Sequence, residues 1–287
     1  MTVQRAYVSG LWLLADNPKY DVCHYHRLLP RTLDLLRGSA LHFHSNSDTV
    51  FQLVADLAQA RGIELKMIEL EVDELPCWDI AKVAVDACAR MRLDQFARPD
   101  HFADEKGSIH YWRDLKGGGA QTYQAMLAIW LSKVALTAKV ACNWEGNSVA
   151  WADASIARFN GRRSNWDFSR DRGDPARISH YGNYMRFFGQ PLPLNASYLE
   201  GGLSAWEALE RLFDATLAKA VQMPYGHDEE TVLGQSVTSS PDLFRCIGHQ
   251  LRERTSFRRV RSALWQRFEK IGCLRPRNIN QLCTSKD

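Results

Sequence analysis

The first ninety residues alternate between strand and helix patterns, and this alternation restricts the possible folds more than any other feature of the chain. Arg5 to Leu14 is an apolar, strand-like run broken by Gly10. His24 to Leu36 has helical spacing, with Leu28, Leu29, Thr32, Leu33 and Leu36 on one side and Gly38 closing it. Ala40 to Ser45 reads as a second strand. Asp48 is the expected N-cap of a helix carrying Val50, Leu53, Val54, Leu57 and Ala58, which recur at i, i+3, i+4, i+7 and i+8 before Gly62. Ile63 to Val72 is a third strand. Strands separated by helices of this length pair in parallel through crossovers. The expected fold class is therefore α/β: an open sheet of parallel-paired strands with helices on its faces.

Further along, Arg98 to Gly119 loses periodicity, carries Pro99 and Gly117-Gly118-Gly119, and reads as a loop. Tyr123, Met126, Leu127, Trp130, Leu131 and Val134 mark one face of a strong helix, with Lys133 on its border. Val149 to Ala154 is a buried strand ending on the carboxylate of Asp153, and Ile156 to Gln190 is loop-like. Ser204-Ala205-Trp206-Glu207 has the capping-box pattern and opens a helix through Leu209, Leu212, Phe213 and Leu217. His227 to Val237 is a shorter helix. Gln250 to Ile271 has an apolar stripe of Phe257, Val260, Leu264, Phe268 and Ile271 among arginines, and reads as a last helix. Residues 1–249 thus form one domain, followed by a basic amphipathic tail over 250–287.

Charge separates these two parts. The 287 residues carry a net charge of only +3, but Gln250 to Asp287 holds ten Lys+Arg against three Asp+Glu. That end is +7 and the rest is −4. The acidic body excludes nucleic acid as its partner, while the tail suits either peripheral contact with an anionic membrane or docking on the domain. An apolar content of 45% with 24% charged residues belongs to a self-folding globular chain. Seven dispersed cysteines without a CxxC pair indicate reduced thiols and a cytoplasmic protein. Ala6 to Ala15 lacks a cleavage site. Ala125 to Val140, interrupted by Lys133 and Lys139, falls short of the ~20 residues of a membrane span.

In open α/β sheets ligands bind beyond the carboxyl ends of the strands, which selects three places. Ser45-Asn46-Ser47-Asp48 follows the second strand, Asp153 follows the Val149 run, and His227-Asp228-Glu229-Glu230 follows the Pro224-Tyr225-Gly226 turn. A carboxylate ending a buried strand needs a cation or several donors, and Mg²⁺ or Mn²⁺ bridging to phosphate oxygens would supply one. The structural alternatives are that Asp153 caps a turn and that the acids near 228 complement a helix dipole.

The order of these segments resembles GT-A type nucleotide-sugar glycosyltransferases, and within them the HtrL/YibB family of bacterial proteins. Trp151-Ala152-Asp153-Ala154, Gly201-Gly202 and Asp228-Glu229 carry that resemblance, which covers roughly Ala6 to Ile247. It implies a GT-A, Rossmann-like α/β fold with a mixed, mostly parallel sheet flanked by helices, and transfer of a sugar from a nucleotide-sugar donor to a carbohydrate or lipid-linked glycan acceptor, as in surface polysaccharide or lipopolysaccharide assembly. Asp153, with His227, would hold Mn²⁺ or Mg²⁺ on the donor diphosphate. Trp151 stands where the first acid of the D-x-D motif belongs, so cations such as Lys133, Arg162, Arg163 or Arg177 are the alternative source of positive charge. Asp228 or Glu229 would act at the reacting centre. Ser9, Ser45 and Asn46 would meet the nucleotide, Lys133 the phosphates or the Asp153 loop, and Gly201-Gly202 would let the chain pass close to the sugar. Loss of the first acid also leaves a second reading, a non-catalytic glycan- or partner-binding protein on the same fold.

Other patterns carry less. His42 and His44 share a strand face, but no further ligand group follows at metalloenzyme spacing. Gly117-Gly118-Gly119 lacks the Lys-Ser/Thr of a phosphate-binding P-loop. Aromatics from Trp166 to Phe188 suit either stacking on an acceptor sugar or loop packing.

Overall fold

A computed structural model describes residues 5–19, 22–90, 106–159, 174–183, 185–187 and 190–249. Its first half follows the alternation read from the sequence: β1 (Arg5–Gly10), α1 (Val22–Leu35), β2 (Ala40–Ser45), α2 (Asp48–Gln59), β3 (Glu64–Glu69) and α3 (Trp78–Ala89). Gly38 and Gly62 take positive φ, 72° and 64°, where the chain turns from α1 and α2 into β2 and β3. The cap of α2 is Ser47 rather than Asp48. The Ser47 hydroxyl accepts from the Val50 amide, and Asp48 lies in the first turn, where it complements the dipole.

The stretch expected to be a loop before Gly119 is helical from Lys106 onward, in α4 (Lys106–Ile109), a wide π turn (His110–Leu115) and α5 (Lys116–Gly118). Lys106, His110 and Asp114 recur every four residues and are bound by ion pairs, which outweighs the glycine run. Gly119, at φ 83°, then turns the chain into α6 (Ala120–Leu131). The single helix expected around Lys133 is divided at Ser132, whose hydroxyl accepts from the Cys77 amide, and Lys133 opens α7 (Lys133–Ala141).

Beyond it lie β4 (Ser148–Ala152), β5 (Ile178–Gly182), a small hairpin of β6 (Arg186–Phe187) and β7 (Gln190–Pro191), then β8 (Asn195–Gly201), α8 (Leu203–Ala220), α9 (Glu229–Ser239) and β9 (Phe244–His249). The strand β5 corrects the loop reading of Ile156 to Gln190, and β8 and β9 are further strands that periodicity did not reveal. The capping box at Ser204 does not form: α8 starts at Leu203 behind Gly202, with no side-chain cap. The C-terminal segment 250–287, its expected helix, and Arg162, Arg163 and Trp166 lie outside the described residues.

The seven-stranded sheet has the order β3-β2-β1-β4-β8-β5-β9. Only β8 runs against its neighbours. One face packs Leu29 and Leu33 of α1 and Val50, Val54 and Ala58 of α2 against Tyr7, Leu41 and Phe43. The other face carries α3, α6, α7, α8 and α9, with Trp151, Trp206, Leu127 and Leu209 in its core. This is an open, mixed, mostly parallel α/β sheet with helices on both faces. From β1 the chain proceeds outward to β2 and β3, then returns to place β4 on the other side of β1. Strand order therefore switches between β1 and β4, and their carboxyl ends flank the crevice where such sheets bind ligands.

Candidate active site at the carboxyl end of the sheet

Val8 pairs with Trp151, so the end of β1 lies beside the end of β4. Asp153 is the first residue past β4, and its amide donates to Ser197 O at 3.0 Å, which prolongs the pairing with β8. Its carboxylate is held from three directions. Oδ1 accepts from Trp151 Nε1 at 2.9 Å and faces Lys133 Nζ at 3.0 Å, while Oδ2 accepts from Arg158 at 3.1 Å. Burial alone would raise the Asp153 pKa. Lys133, Arg158 and the hydrogen bond from Trp151 instead hold it well below the usual carboxylate range.

Lys133 joins this acid to a second one 76 positions later. Its Nζ lies 3.3 Å from Glu229 Oε1 and 3.5 Å from Ala196 O, above the Trp151 ring. Burial disfavours its charge, but Asp153 and Glu229 outweigh that and raise its pKa, so it stays an ammonium. The other carboxylate oxygen, Glu229 Oε2, is buried and has no hydrogen-bond partner among the described residues. A buried acceptor left without a donor is costly unless a ligand or water completes it.

Asp228 does different work. It is the N-cap of α9, accepting from the Glu230 and Thr231 amides and from the Thr231 hydroxyl. Lys106 Nζ lies 3.4 Å from it and 2.6 Å from Glu230, and His110 Nε2 lies 3.5 Å from its other oxygen. His110 Nδ1 also meets Asp114 at 2.7 Å, and Arg113 grips Asp114 with two bonds. Burial opposes the Asp228 charge, but Lys106 and His110 prevail and hold its pKa well below the ordinary value. His227 is buried beside the Tyr123 hydroxyl at 3.2 Å. Burial, and then the charge of His110, pushes its imidazole down to about 4, so it is neutral at pH 7.

Lys133, Trp151, Asp153 and Glu229 thus meet at one point, with Asp228 and His227 at the adjoining start of α9. Ser9, Ser45 and Asn46 lie on the same carboxyl edge but do not join the cluster. Ser9 is buried with an unpartnered hydroxyl, the Ser45 hydroxyl donates to Leu11 O at 2.7 Å, and the exposed Asn46 bonds Glu71. Gly201 and Gly202 lie elsewhere. Because β8 is antiparallel, Gly201 pairs with Val149 at the start of β4, at the opposite end of the sheet from Asp153. Their lack of side chains serves packing. A Cβ on Gly202 would come within 2.7 Å of Pro175 O, and one on Gly201 within 2.8 Å of Ile178. A cavity of about 430 Å³ at that far end is lined by Gly202, Ser204 and Glu207 and contains no residue of the charged cluster.

Sequence reasoning missed Arg158, Lys106 and His110. The signals were present: an arginine five residues after Asp153 in the loop leaving β4, and a Lys106-His110-Asp114 repeat of four.

The divalent ion implied at Asp153 with His227 does not fit this donor set. Both Asp153 oxygens already face side-chain cations, and His227 shares no hydrogen-bond partner with Asp153. Hard divalent ions need several oxygen ligands of their own. Among the described residues no group of three or more His, Cys, Asp or Glu side chains could hold a metal ion.

No family model and no curated protein matches the chain, so the likeness to the HtrL/YibB family finds no counterpart among them. A solved structure that it is similar to is the glycosyltransferase GlyE from Streptococcus pneumoniae TIGR4, with a TM-score of 0.43 and 10% identity over 96% of this chain. The chain spans about half of that protein, 54% of its length. What stands is the architecture itself: a mostly parallel α/β sheet with a buried, charge-paired cluster at its carboxyl edge.

Proposed function

We propose that the protein is a glycosyltransferase that moves a sugar from a nucleotide-sugar donor to a carbohydrate or lipid-linked glycan acceptor. The observation that carries this reading is the unpartnered, buried Glu229 Oε2 beside Asp153 and Lys133, at the carboxyl edge where an open α/β sheet binds its ligand. A carboxylate oxygen without a donor is complementary to a hydroxyl, and sugars present hydroxyls. In the transfer, the bond from the anomeric carbon to the donor's phosphate oxygen breaks and its electron pair leaves with the phosphate. The new bond forms from the acceptor oxygen, and Glu229 takes that oxygen's proton.

Of the two acids implied by the resemblance, Glu229 suits this role better. Asp228 is engaged by the α9 amides, Thr231, Lys106 and His110. The basic end of the chain favours an acceptor anchored on an anionic membrane. The second reading, a non-catalytic glycan- or partner-binding protein, draws on Asp153, whose carboxylate is already neutralised by Lys133 and Arg158.

Thermal-shift measurements with UDP-, GDP-, CMP- and dTDP-sugars test the reading. A ligand at ~100 times its Kd adds about 2.7 kcal/mol of stability. A shift with one donor class, followed by sugar transfer that Glu229→Gln removes while donor binding persists, is expected. Donor binding by a protein that never turns over, with Glu229→Gln indistinguishable from wild type, would favour the binding protein.

A further inference from the structure

We propose that the donor's phosphates are met by the guanidinium of Arg158, backed by Lys133, without a divalent ion, and that Asp153 is a positioning residue for these two cations. This rests on the nucleotide-sugar reading above. Arg158 sits in the turn leaving β4, beside the β1–β4 crevice, with 22% of its side chain exposed. It is fixed by Asp153, by the Ser155 hydroxyl and by Ser197 Oγ at 2.6 Å, and it lies over the Phe159 ring at 4.3 Å. A guanidinium is a planar fork suited to phosphate oxygens, and an arriving phosphate would take over donors that Arg158 gives to Asp153 and the two serines. Lys133, only 5% exposed, cannot be the outer contact, but it keeps Asp153 and Glu229 from opposing an incoming anion.

The same arrangement repels a divalent ion. A cation drawn to Asp153 would lie against Lys133 and Arg158, each within 3.1 Å of that carboxylate. A leaving diphosphate gains negative charge as the bond to the anomeric carbon breaks, and a fixed guanidinium answers that charge with no metal on its oxygens.

A metal site and a cation site differ in sign at Asp153. As a metal ligand, Asp153 is needed for the phosphates to bind. As a positioning residue it competes with them for Arg158, so Asp153→Asn leaves binding unchanged or tightens it. Calorimetric titration of the full chain with UDP, GDP, dTDP and CMP, in EDTA and again in Mn²⁺, reads this directly. We expect the nucleotide that binds to do so equally in both buffers, Asp153→Asn to retain it, and Arg158→Met to weaken it about ten- to a hundredfold. Arg158→Lys should recover part of the loss. If Asp153→Asn does not fold, the partly exposed Arg158 variants and the EDTA comparison carry the test. Binding that requires Mn²⁺ and is lost in Asp153→Asn overturns the inference and leaves the transferase standing. No nucleotide binding in either buffer overturns both.

Discussion

Lys133 is the residue on which the candidate site depends most, because it separates two carboxylates that are both largely buried. Lys133→Met leaves Glu229 without its cation and Asp153 with only Arg158, and breaking a buried pair by removing one partner costs about 3–5 kcal/mol. A urea midpoint lowered accordingly is expected, with part of the loss recovered in Lys133→Met/Glu229→Gln. An unchanged midpoint in the single variant would mean that these contacts are not made in solution. Histidines set the pH dependence. Burial pushes His44 and His227 down to about 4, with the charge of His110 adding to the effect at His227. Between pH 6.5 and 4 the unfolded chain binds protons that these two folded imidazoles do not, so stability falls as pH falls, by up to about 3 kcal/mol for each. His110 works the other way. Its pKa is raised by Asp228 and Asp114 against the opposing effect of burial, so its contribution is present below pH 6.5 and lost as pH rises through its folded pKa. Below about pH 4 the lowered pKa values of Asp114, Asp153 and Asp228 add a further loss. Melting temperatures across pH 4 to 8 check this, and in His44→Gln the fall between 6.5 and 4 should become shallower.

At the scale of elements, the glycines at the start of α8 separate a packing role from a ligand role. Gly202 has φ −81°, which any residue adopts, so Gly202→Ala costs through contact alone: its Cβ meets Pro175 O at 2.7 Å and Asn147 O at 3.3 Å, both rigid backbone. Overpacking of that kind costs about 1–3 kcal/mol. A urea midpoint lowered by that amount, with donor affinity unchanged, is the expected outcome. Lost affinity in a variant of wild-type stability would return the glycine pair to the sugar. The same elements explain what could be read beforehand. Ala40–Ser45 was legible to the residue because Leu41 and Phe43 face one core and Gly38 marks its start. By contrast, β5 and β8 were not legible because they are buried on both faces and carry polar residues inside. Glu200 on β8 is neutralised by Arg5 at 2.7 Å and accepts from Tyr198 and Ser148, so polar pairs occupy positions where periodicity looks for apolar ones. The site followed the same logic. Asp153 and Glu229 were visible as acids after a strand and after a turn, but their union through Lys133 depends on β8, α7 and α9 packing together.

Over the whole molecule, charge is divided unevenly along the sequence. Residues 1–249 carry −4 and residues 250–287 carry +7. No helix among the described residues is long and apolar enough to cross a membrane. In the proposed membrane contact, an anionic surface would attract the basic end and repel the acidic body, which would orient the chain as it approaches. Each arginine near such a surface contributes roughly 1 kcal/mol, so replacing Arg258, Arg259 and Arg261 with Gln removes about 3 kcal/mol, on the order of a hundredfold in partitioning. Co-sedimentation with phosphatidylglycerol vesicles at low salt is expected for the full chain, with release as salt rises and little binding by the triple variant. Neutral vesicles should sediment neither. Equal sedimentation of wild type and variant would remove the membrane from the proposal and leave a soluble carbohydrate as the acceptor, because the proposed site is drawn from Asp153, Lys133, Arg158 and Glu229, all of which precede the basic end in the sequence.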